Sequence, residues 1–380
     1  MRLLHTSDWH IGRQLHGASL LEDQAHVLEQ VVDIAGRESV DAVILAGDVY
    51  DRAVPPAEAV ALLNHILRRL CLDLNIPVIV IGGNHDNGQR LGFGADLLGS
   101  AGLHIRGPLE PEPRPITLRA AGAEVDVFAL PYAGPATVRQ VLGEEVFTHE
   151  EAMDALLARV ARVREAGRPT VLAAHCFVAG ASECESERPL SIGGADRISA
   201  ALFQGFDYVA LGHLHGRQYQ LAEHIRYSGS ILKYSFSEVA HHKSVTLVDI
   251  GTQGVEEIRQ VELQPMRDMR VLEGRLEEII DNGAGDSCRE DFIQARITNR
   301  ESVLDAMGKL RAVYPNALQL QYVGLREAGV LQEPGRDVLT RSHLRLFEEF
   351  FEEVHGETLS DAQRACVGEV LERVESGDTA

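Results

Sequence analysis

The stretch Leu45-Ala46-Gly47-Asp48-Val49-Tyr50-Asp51-Arg52 decides how this chain is read. It continues an apolar run, Val40-Asp41-Ala42-Val43-Ile44-Leu45, with the length and composition of a buried strand. Gly47 turns the chain at the end of that run, so the Asp48 carboxylate is expected at the strand's C-terminal tip. In open α/β sheets, ligands bind outside those tips. Taken singly, a Gly-Asp pair at a strand end is a turn with a helix-capping aspartate. Four further strand ends nevertheless carry metal-type ligands: Asp8-Trp9-His10, Asn84-His85-Asp86, His175, and His213-Leu214-His215.

The first hundred residues alternate strand and helix. Arg2 to Ser7 reads as a strand ending at Asp8-Trp9-His10. If the backbone stays extended there, Asp8 and His10 point the same way, because side chains alternate. Leu21, Ala25, Leu28, Val32 and Ala35 recur at helical spacing. Pro55-Pro56 opens a second helix, and Pro77 to Ile81 is an apolar strand buried on both faces. A β-α-β-α-β order implies parallel strands with right-handed crossovers. Asp8, Asp48 and Asn84 then become neighbours on one sheet edge, though about 40 residues separate each from the next.

Val125 to Leu130, Thr170 to Ala174 and Asp207 to Leu211 read as further strands, with a helix near His149 to Glu165. Arg226 to Ser228, Ser244 to Ile250 and Val255 to Leu263 are expected to form a closing antiparallel sheet. The fold class is therefore α/β, a two-sheet sandwich flanked by helices and spanning residues 1–264. Pro265 marks a boundary. Beyond it, residues 265–332 read strand-helix-strand-helix-strand, a small α+β unit, with the second helix expected over Glu301 to Val313. Glu333-Pro334-Gly335 marks another boundary, and residues 333–380 offer a C-terminal pair of helices. Leu344, Phe347, Phe351 and Val354 line one; Val367, Val370, Leu371 and Val374 line the other, which opens with the capping pattern Ser360-x-x-Gln363. Two helices cannot bury these faces alone, so they dock on the parent domain or on a partner.

The net charge of −21 excludes a generally basic nucleic-acid binder, although it leaves room for local binding. The tail from Glu333 carries 12 Asp/Glu against 5 Lys/Arg, and bound divalent cations would offset carboxylates where a phosphate approaches. No run of about 18 apolar residues is present to span a membrane. The N-terminus shows no signal-peptide pattern, and the 5 scattered cysteines lack CxxC pairing. Both features point to a cytoplasmic protein with reduced thiols.

Any one of the 16 histidines taken alone is more often a surface or hydrogen-bonded residue than a ligand. Asp8, His10, Asp48, Asn84, His175, His213 and His215 gathered at strand tips are a different matter. Carboxylate, amide oxygen and imidazole donors suit Mn²⁺, Fe²⁺ or Zn²⁺, and no thiolate demands zinc. These 7 donors exceed what one ion needs, so two ions sharing a carboxylate is the economical arrangement. Two ions about 3.5–4 Å apart can hold an attacking hydroxide and a scissile phosphate together. His85, next to Asn84, is placed to help the leaving oxygen.

The order Asp-x-His, Gly-Asp-x-x-Asp-Arg, Gly-Asn-His-Asp, His, Gly-His-x-His resembles that of the calcineurin-like metallophosphoesterases. Within them the chain is similar to the SbcD nuclease subunits of bacteria, relatives of the double-strand-break repair nuclease of eukaryotes and archaea. Three stretches carry the narrower likeness: Thr6 to Gly12, Glu185 to Gly194, and Phe206 to His215. By motif it covers residues 1 to about 260; the small domain and tail match in order and size. The resemblance implies Asp8, His10, Asp48 and His215 as ligands of one ion, and Asp48, Asn84, His175 and His213 as ligands of the other. It implies that His85 stabilises the transition state or protonates the leaving group, with Asp51 orienting it. Arg52 either contacts phosphate or forms a surface salt bridge. The resemblance further implies Mn²⁺ in preference to Mg²⁺, DNA as substrate, an SbcC-type ATPase bound through the C-terminal helices, and a homodimer within a heterotetramer. For Glu185 to Gly194 the residues suggest only a structural loop near the site. The alternatives are a small-molecule phosphodiesterase or phosphoprotein phosphatase on the same site, and a non-catalytic scaffold on this fold.

Overall fold

The computed structural model describes residues 1–120, 122–188, 190 and 196–323, together with 347, 351, 358–360, 363, 364 and 367. Among these residues the strands form two six-stranded sheets and one three-stranded sheet, besides two small two-stranded pairs. The first large sheet runs, edge to edge, Gly254–Glu262, Ser244–Gly251, Arg2–Thr6, Ala42–Ala46, Val78–Ile81, Leu103–Arg106. Its last four strands are parallel, with Thr6 beside Leu45 and Ala46 beside Ile81, so their C-terminal tips align. The second runs Gln218–Gln220, Ala222–Tyr227, Tyr208–Gly212, Thr170–His175, Ala123–Leu130, Ile116–Ala120. There His175 lies beside Gly212, and Leu130 beside Ala174.

Alternation along the strands explains the layering. Leu3, Ala42, Ile44, Ile79 and Ile81 of the first sheet meet Val125, Val127, Val171, Ala173 and Ala210 of the second in one apolar layer. The intervening residues Leu4, Val43, Leu45, Val78 and Val80 face outward onto the helices Leu21–Arg37 and Ala57–Arg68. Phe128, Leu130, Leu172, Val209 and Leu211 likewise face the helix His149–Val163. Central strands buried on both sides need continuous apolar runs, and the sequence supplies them. The helix at His149 starts where Thr148 and Glu151 cap each other reciprocally. His5 links the two sheets, its Nδ1 2.9 Å from Tyr208 Oη and its Nε2 3.2 Å from the Leu211 carbonyl.

The closing antiparallel sheet expected from Arg226 onward forms only in part. Ser244–Gly251 and Gly254–Glu262 extend the first sheet as a hairpin against Arg2–Thr6. Ala222–Tyr227 instead joins the second sheet, parallel to Tyr208–Gly212. The physical reason is the short strand Gln218–Gln220, which reverses the chain in too few residues to leave a readable alternation. A helix at Pro135–Leu142 also adds to the outer layer.

In the small domain, Met269–Gly274, Phe292–Ile297 and Ala317–Tyr322 form a parallel sheet, crossed over by Leu276–Gly283 and Ala306–Arg311. The second helix is shorter than its expected span, because Asp305 adopts a left-handed φ of 51° and helical geometry starts only after it. Met269 and Phe292 pack into the core of the larger domain, and Arg267 donates to Asp23 there. Of the tail, the Ser360-x-x-Gln363 cap is seen: Gln363 Oε1 accepts from the Ser360 amide at 2.9 Å. The two tail helices as wholes lie outside the described residues. Cys71, Cys176, Cys184 and Cys288 are free thiols. Among the described residues no helix is long and apolar enough to cross a membrane.

Candidate metal centre

Both large sheets deliver their strand ends to one place. Asp8 and His10 follow Arg2–Thr6, Asp48 follows Ala42–Ala46, and Asn84 and His85 follow Val78–Ile81. His175 ends its strand in the second sheet, and His213 and His215 follow Tyr208–Gly212. The two sets of tips touch because glycines let them. A Cβ on Gly212 would lie 1.8 Å from the Ala46 carbonyl oxygen. Gly47, at φ +91°, has the left-handed freedom its turn needs, and a side chain there would strike the His175 ring at 2.3 Å.

At four of the site's residues the backbone is not extended. Asp8, His10 and Asp48 have φ of 53°, 44° and 49°, and His213 has 111°. Asp8 and His10 therefore reach the centre through left-handed turns, and not through the strand alternation their spacing suggests. Each such residue stores on the order of 1–3 kcal/mol, which persists only where the surroundings hold it. Here the Asp8 and His10 amides donate to the Gly47 and Asp48 carbonyls, and the His213 amide donates to Asp8 at 3.0 Å.

The side chains fall into two buried groups, Asp8 with His10 and His215, and Asp48 with His175 and His213. His10 Nε2 faces His215 Nε2 at 3.1 Å. Asn84 Oδ1 lies 2.8 Å from His175 Nε2 and 3.2 Å from His213 Nδ1. Asp48 stands between the groups: its Oδ2 is 3.5 Å from both His10 Nε2 and His175 Nε2. Its Oδ1 is occupied, accepting from the His85 amide at 2.9 Å.

These residues fit divalent cations. His175 Nδ1 donates to the Ala46 carbonyl at 3.0 Å, so its Nε2 carries a lone pair and points it at the amide oxygen of Asn84. Two acceptors aimed at each other repel unless a cation lies between them. Burial pushes His10, His175, His213 and His215 below their usual range and so favours neutral, ligating imidazoles. The Asp8 carboxyl is pushed well up, first by burial and then by the charge of Asp48, a penalty that a bound cation would remove.

His85 lies at the rim, with Nε2 4.0 Å from Asp48 Oδ2. Its Nδ1 donates to the main-chain carbonyl of Asp51 at 2.8 Å. The contact expected from Asp51 to His85 is thus made by the backbone. The Asp51 carboxylate instead accepts from Arg13 at 3.2 Å and lies 3.8 Å from His10 Nδ1, which has no hydrogen-bond partner among the described residues. Arg52 is mostly exposed and sits 3.9 Å from Asp51, a weak surface pairing.

Several residues of the site went unassigned from the sequence. Asp86 accepts from the amides of Val49, Tyr50 and Gly83, clamping the Asp48 turn; burial and the charge of Asp48 push its carboxyl up to about 6. It stands inside the Gly-Asn-His-Asp motif, so its position was visible and its task was not. Ser186 and Glu187 of the Glu185 loop reach His215, as do Glu238 and Lys243, which no motif marked. Burial pushes the Glu187 carboxyl up to about 7. Burial also raises Glu238, but the nearby His215 ring, 3.7 Å away, and its pairing with Lys243 outweigh that and hold it well below the usual carboxylate range.

Two groups of buried imidazole and carboxylate, with Asp48 3.5 Å from a nitrogen of each, make a centre at the tips of a two-sheet sandwich that is suited to divalent ions. The profile of the calcineurin-like phosphoesterases matches residues 1–217, and the chain belongs to that family. A second profile, described as the type 5 capsule protein repressor C-terminal domain, matches residues 265–355. Within the family, the chain is similar to a protein from Staphylococcus saprophyticus named as the D component of the nuclease SbcCD, at 31% identity over 372 residues, 98% of each chain. A protein of the same name from Staphylococcus epidermidis is 36% identical over 324 residues, 85% of this chain and 86% of that one.

Proposed function

We propose that the chain is the nuclease subunit of an SbcCD-type complex, hydrolysing DNA phosphodiesters with two divalent ions, Mn²⁺ in preference to Mg²⁺. The observation that carries the two-ion reading is Asp48 Oδ2, equidistant at 3.5 Å from an imidazole nitrogen of each group. In this reading Asp8, His10, Asp48 and His215 hold one ion, and Asp48, Asn84, His175 and His213 hold the other. A donor set of imidazole and oxygen without thiolate suits Mn²⁺. When bound, such ions acidify water towards neutrality and withdraw charge from phosphate oxygens.

The chain's own residues do the rest. The His85 amide fixes Asp48 Oδ1, which leaves Oδ2 free for both groups. Donation from His85 Nδ1 to the Asp51 carbonyl turns Nε2 towards the centre; carrying a second proton there, the imidazolium gives that proton to the leaving oxygen and keeps the one on Nδ1. Asp51 also holds Arg13 beside His10. Arg52 meets an incoming phosphate from the rim. Residues 265–332 act as a cap over DNA, and residues 333–380 dock on an SbcC-type ATPase. That docking is supported by the apolar helix faces in the sequence and by relatives named as parts of a complex. The assembly proposed is a homodimer within a heterotetramer, working in the cytoplasm. The test is hydrolysis by the full chain, stripped and reloaded with Mn²⁺, of linear duplex DNA against bis(p-nitrophenyl) phosphate. Mn²⁺-dependent DNA cleavage is expected; turnover of the small diester alone would refute the nuclease reading.

A further inference from the structure

The loop from Glu185 carries no motif with a chemistry of its own, yet its side chains close on one metal-facing histidine. Ser186 Oγ is 2.6 Å from His215 Nδ1 and donates to Glu238 Oε1 at 2.5 Å. Glu238 is fully buried, and its other oxygen accepts from Lys243 Nζ at 2.6 Å. Lys243 spends its remaining donors on the His215 carbonyl and on Ser230 Oγ, each at 2.8 Å. Glu187 accepts from the His215 amide at 2.6 Å, which pins the loop beside the ring.

We infer that Ser186, Glu238 and Lys243 form a positioning chain that fixes the tautomer and orientation of His215, and so serves one of the two ions selectively. The protons along the chain can be placed one by one. A hydroxyl has one hydrogen to donate and lone pairs to accept with. Glu238, paired with a buried ammonium, is a carboxylate and can only accept. Ser186 must therefore give its hydrogen to Glu238 and accept from His215 Nδ1–H. That leaves the lone pair of His215 on Nε2, the atom facing His10 Nε2 at 3.1 Å. A carboxylate behind a metal-ligating histidine orients the ring and raises its basicity. Here a serine is interposed, and the charge of Lys243 sets the direction of every hydrogen bond in the chain. His175 in the other group rests on the Ala46 carbonyl instead, so the two ions have independent supports.

This inference rests on the two-ion reading, and its test separates the two. The full chain is stripped of metal and titrated with Mn²⁺, with heats and the electron paramagnetic resonance spectrum recorded. Ser186→Ala keeps the Glu238–Lys243 pair intact and exposes no buried charge, so it folds where Glu238→Gln could fail. Ser186→Ala is expected to weaken one ion about 10–100-fold and leave the other unchanged. The spectrum should pass from a coupled pair to an isolated Mn²⁺ at intermediate loading. Ser186→Thr, which keeps the hydroxyl, restores the pair. Ser235→Ala, which removes a 3.1 Å bond to the same Glu238 oxygen but leaves the Ser186–His215 contact in place, leaves both ions as in the wild type. Wild type binding two ions and Ser186→Ala binding them equally well overturns this inference alone. Equal weakening of both ions overturns the selectivity, and a wild type holding fewer than two ions overturns the two-ion reading as well.

Discussion

Gly83→Ala is the sharpest test of the centre, because it removes no ligand and adds one methyl group. The new Cβ would lie 2.1 Å from Asp48 Oδ1, 2.2 Å from the Asp48 amide nitrogen and 2.8 Å from its Cγ. Ordinary contact begins at 3.4 Å, so Asp48 must retreat by about 1.3 Å. Rotating the side chain does not relieve this, since the backbone nitrogen is struck too. Gly83 lies outside the left-handed region, so the substitution carries no backbone penalty of its own. A shift of that size takes Oδ2 away from a position 3.5 Å from both His10 and His175, and it breaks the bond from the His85 amide. Misplacement by about an ångström costs on the order of 10²-fold in rate, and crowding a packed site costs roughly 1–3 kcal/mol of stability. The assay is Mn²⁺ calorimetry with bis(p-nitrophenyl) phosphate hydrolysis, and Gly285→Ala, with nothing within 4 Å of its Cβ, is the control. Gly83→Ala that folds, binds two ions at wild-type affinity and keeps its activity within about twofold would refute the bridging role of Asp48.

Asp48→Asn should weaken both ions and Asp8→Asn chiefly one; equal stoichiometry and activity in Asp48→Asn and wild type would remove the bridge. His85→Ala should lower kcat by about 10²–10⁴-fold while both Mn²⁺ ions still bind, as calorimetry can show; unchanged kcat would favour a non-catalytic scaffold. His5 gives a pH test remote from the ligands. Burial pushes its imidazole down to about 3, against about 6.5 in the unfolded chain. The unfolded state therefore binds more protons over this window, and stability present above pH 6.5 is lost as pH falls towards 3. His5→Gln should flatten the decline in urea-melt stability between pH 6.5 and 5 by up to about 1.4 kcal/mol per pH unit, and identical slopes would contradict the assignment.

The sequence alone determined the parallel core and the cast of candidate ligands. Apolar runs of strand length, broken by glycine and alternating with helical spacing, place successive C-terminal tips on one edge whatever the packing details. Asp8, Asp48, Asn84, His175, His213 and His215 stand at or just beyond those tips. Only the tertiary structure decided how these residues are supported. Ser186 reaches His215 and Glu238 across 29 and 52 residues of chain, and no local period records such a contact. Asp51 serves His85 through its carbonyl, a choice that depends on the turn's geometry and is silent in the side-chain code. The pairing of Ala222–Tyr227 and Ser244–Gly251 with different sheets was settled by a three-residue strand whose alternation is too brief to read. Periodicity reports which face of an element is buried, whereas the partner on that face is fixed only when distant segments compete for the same space.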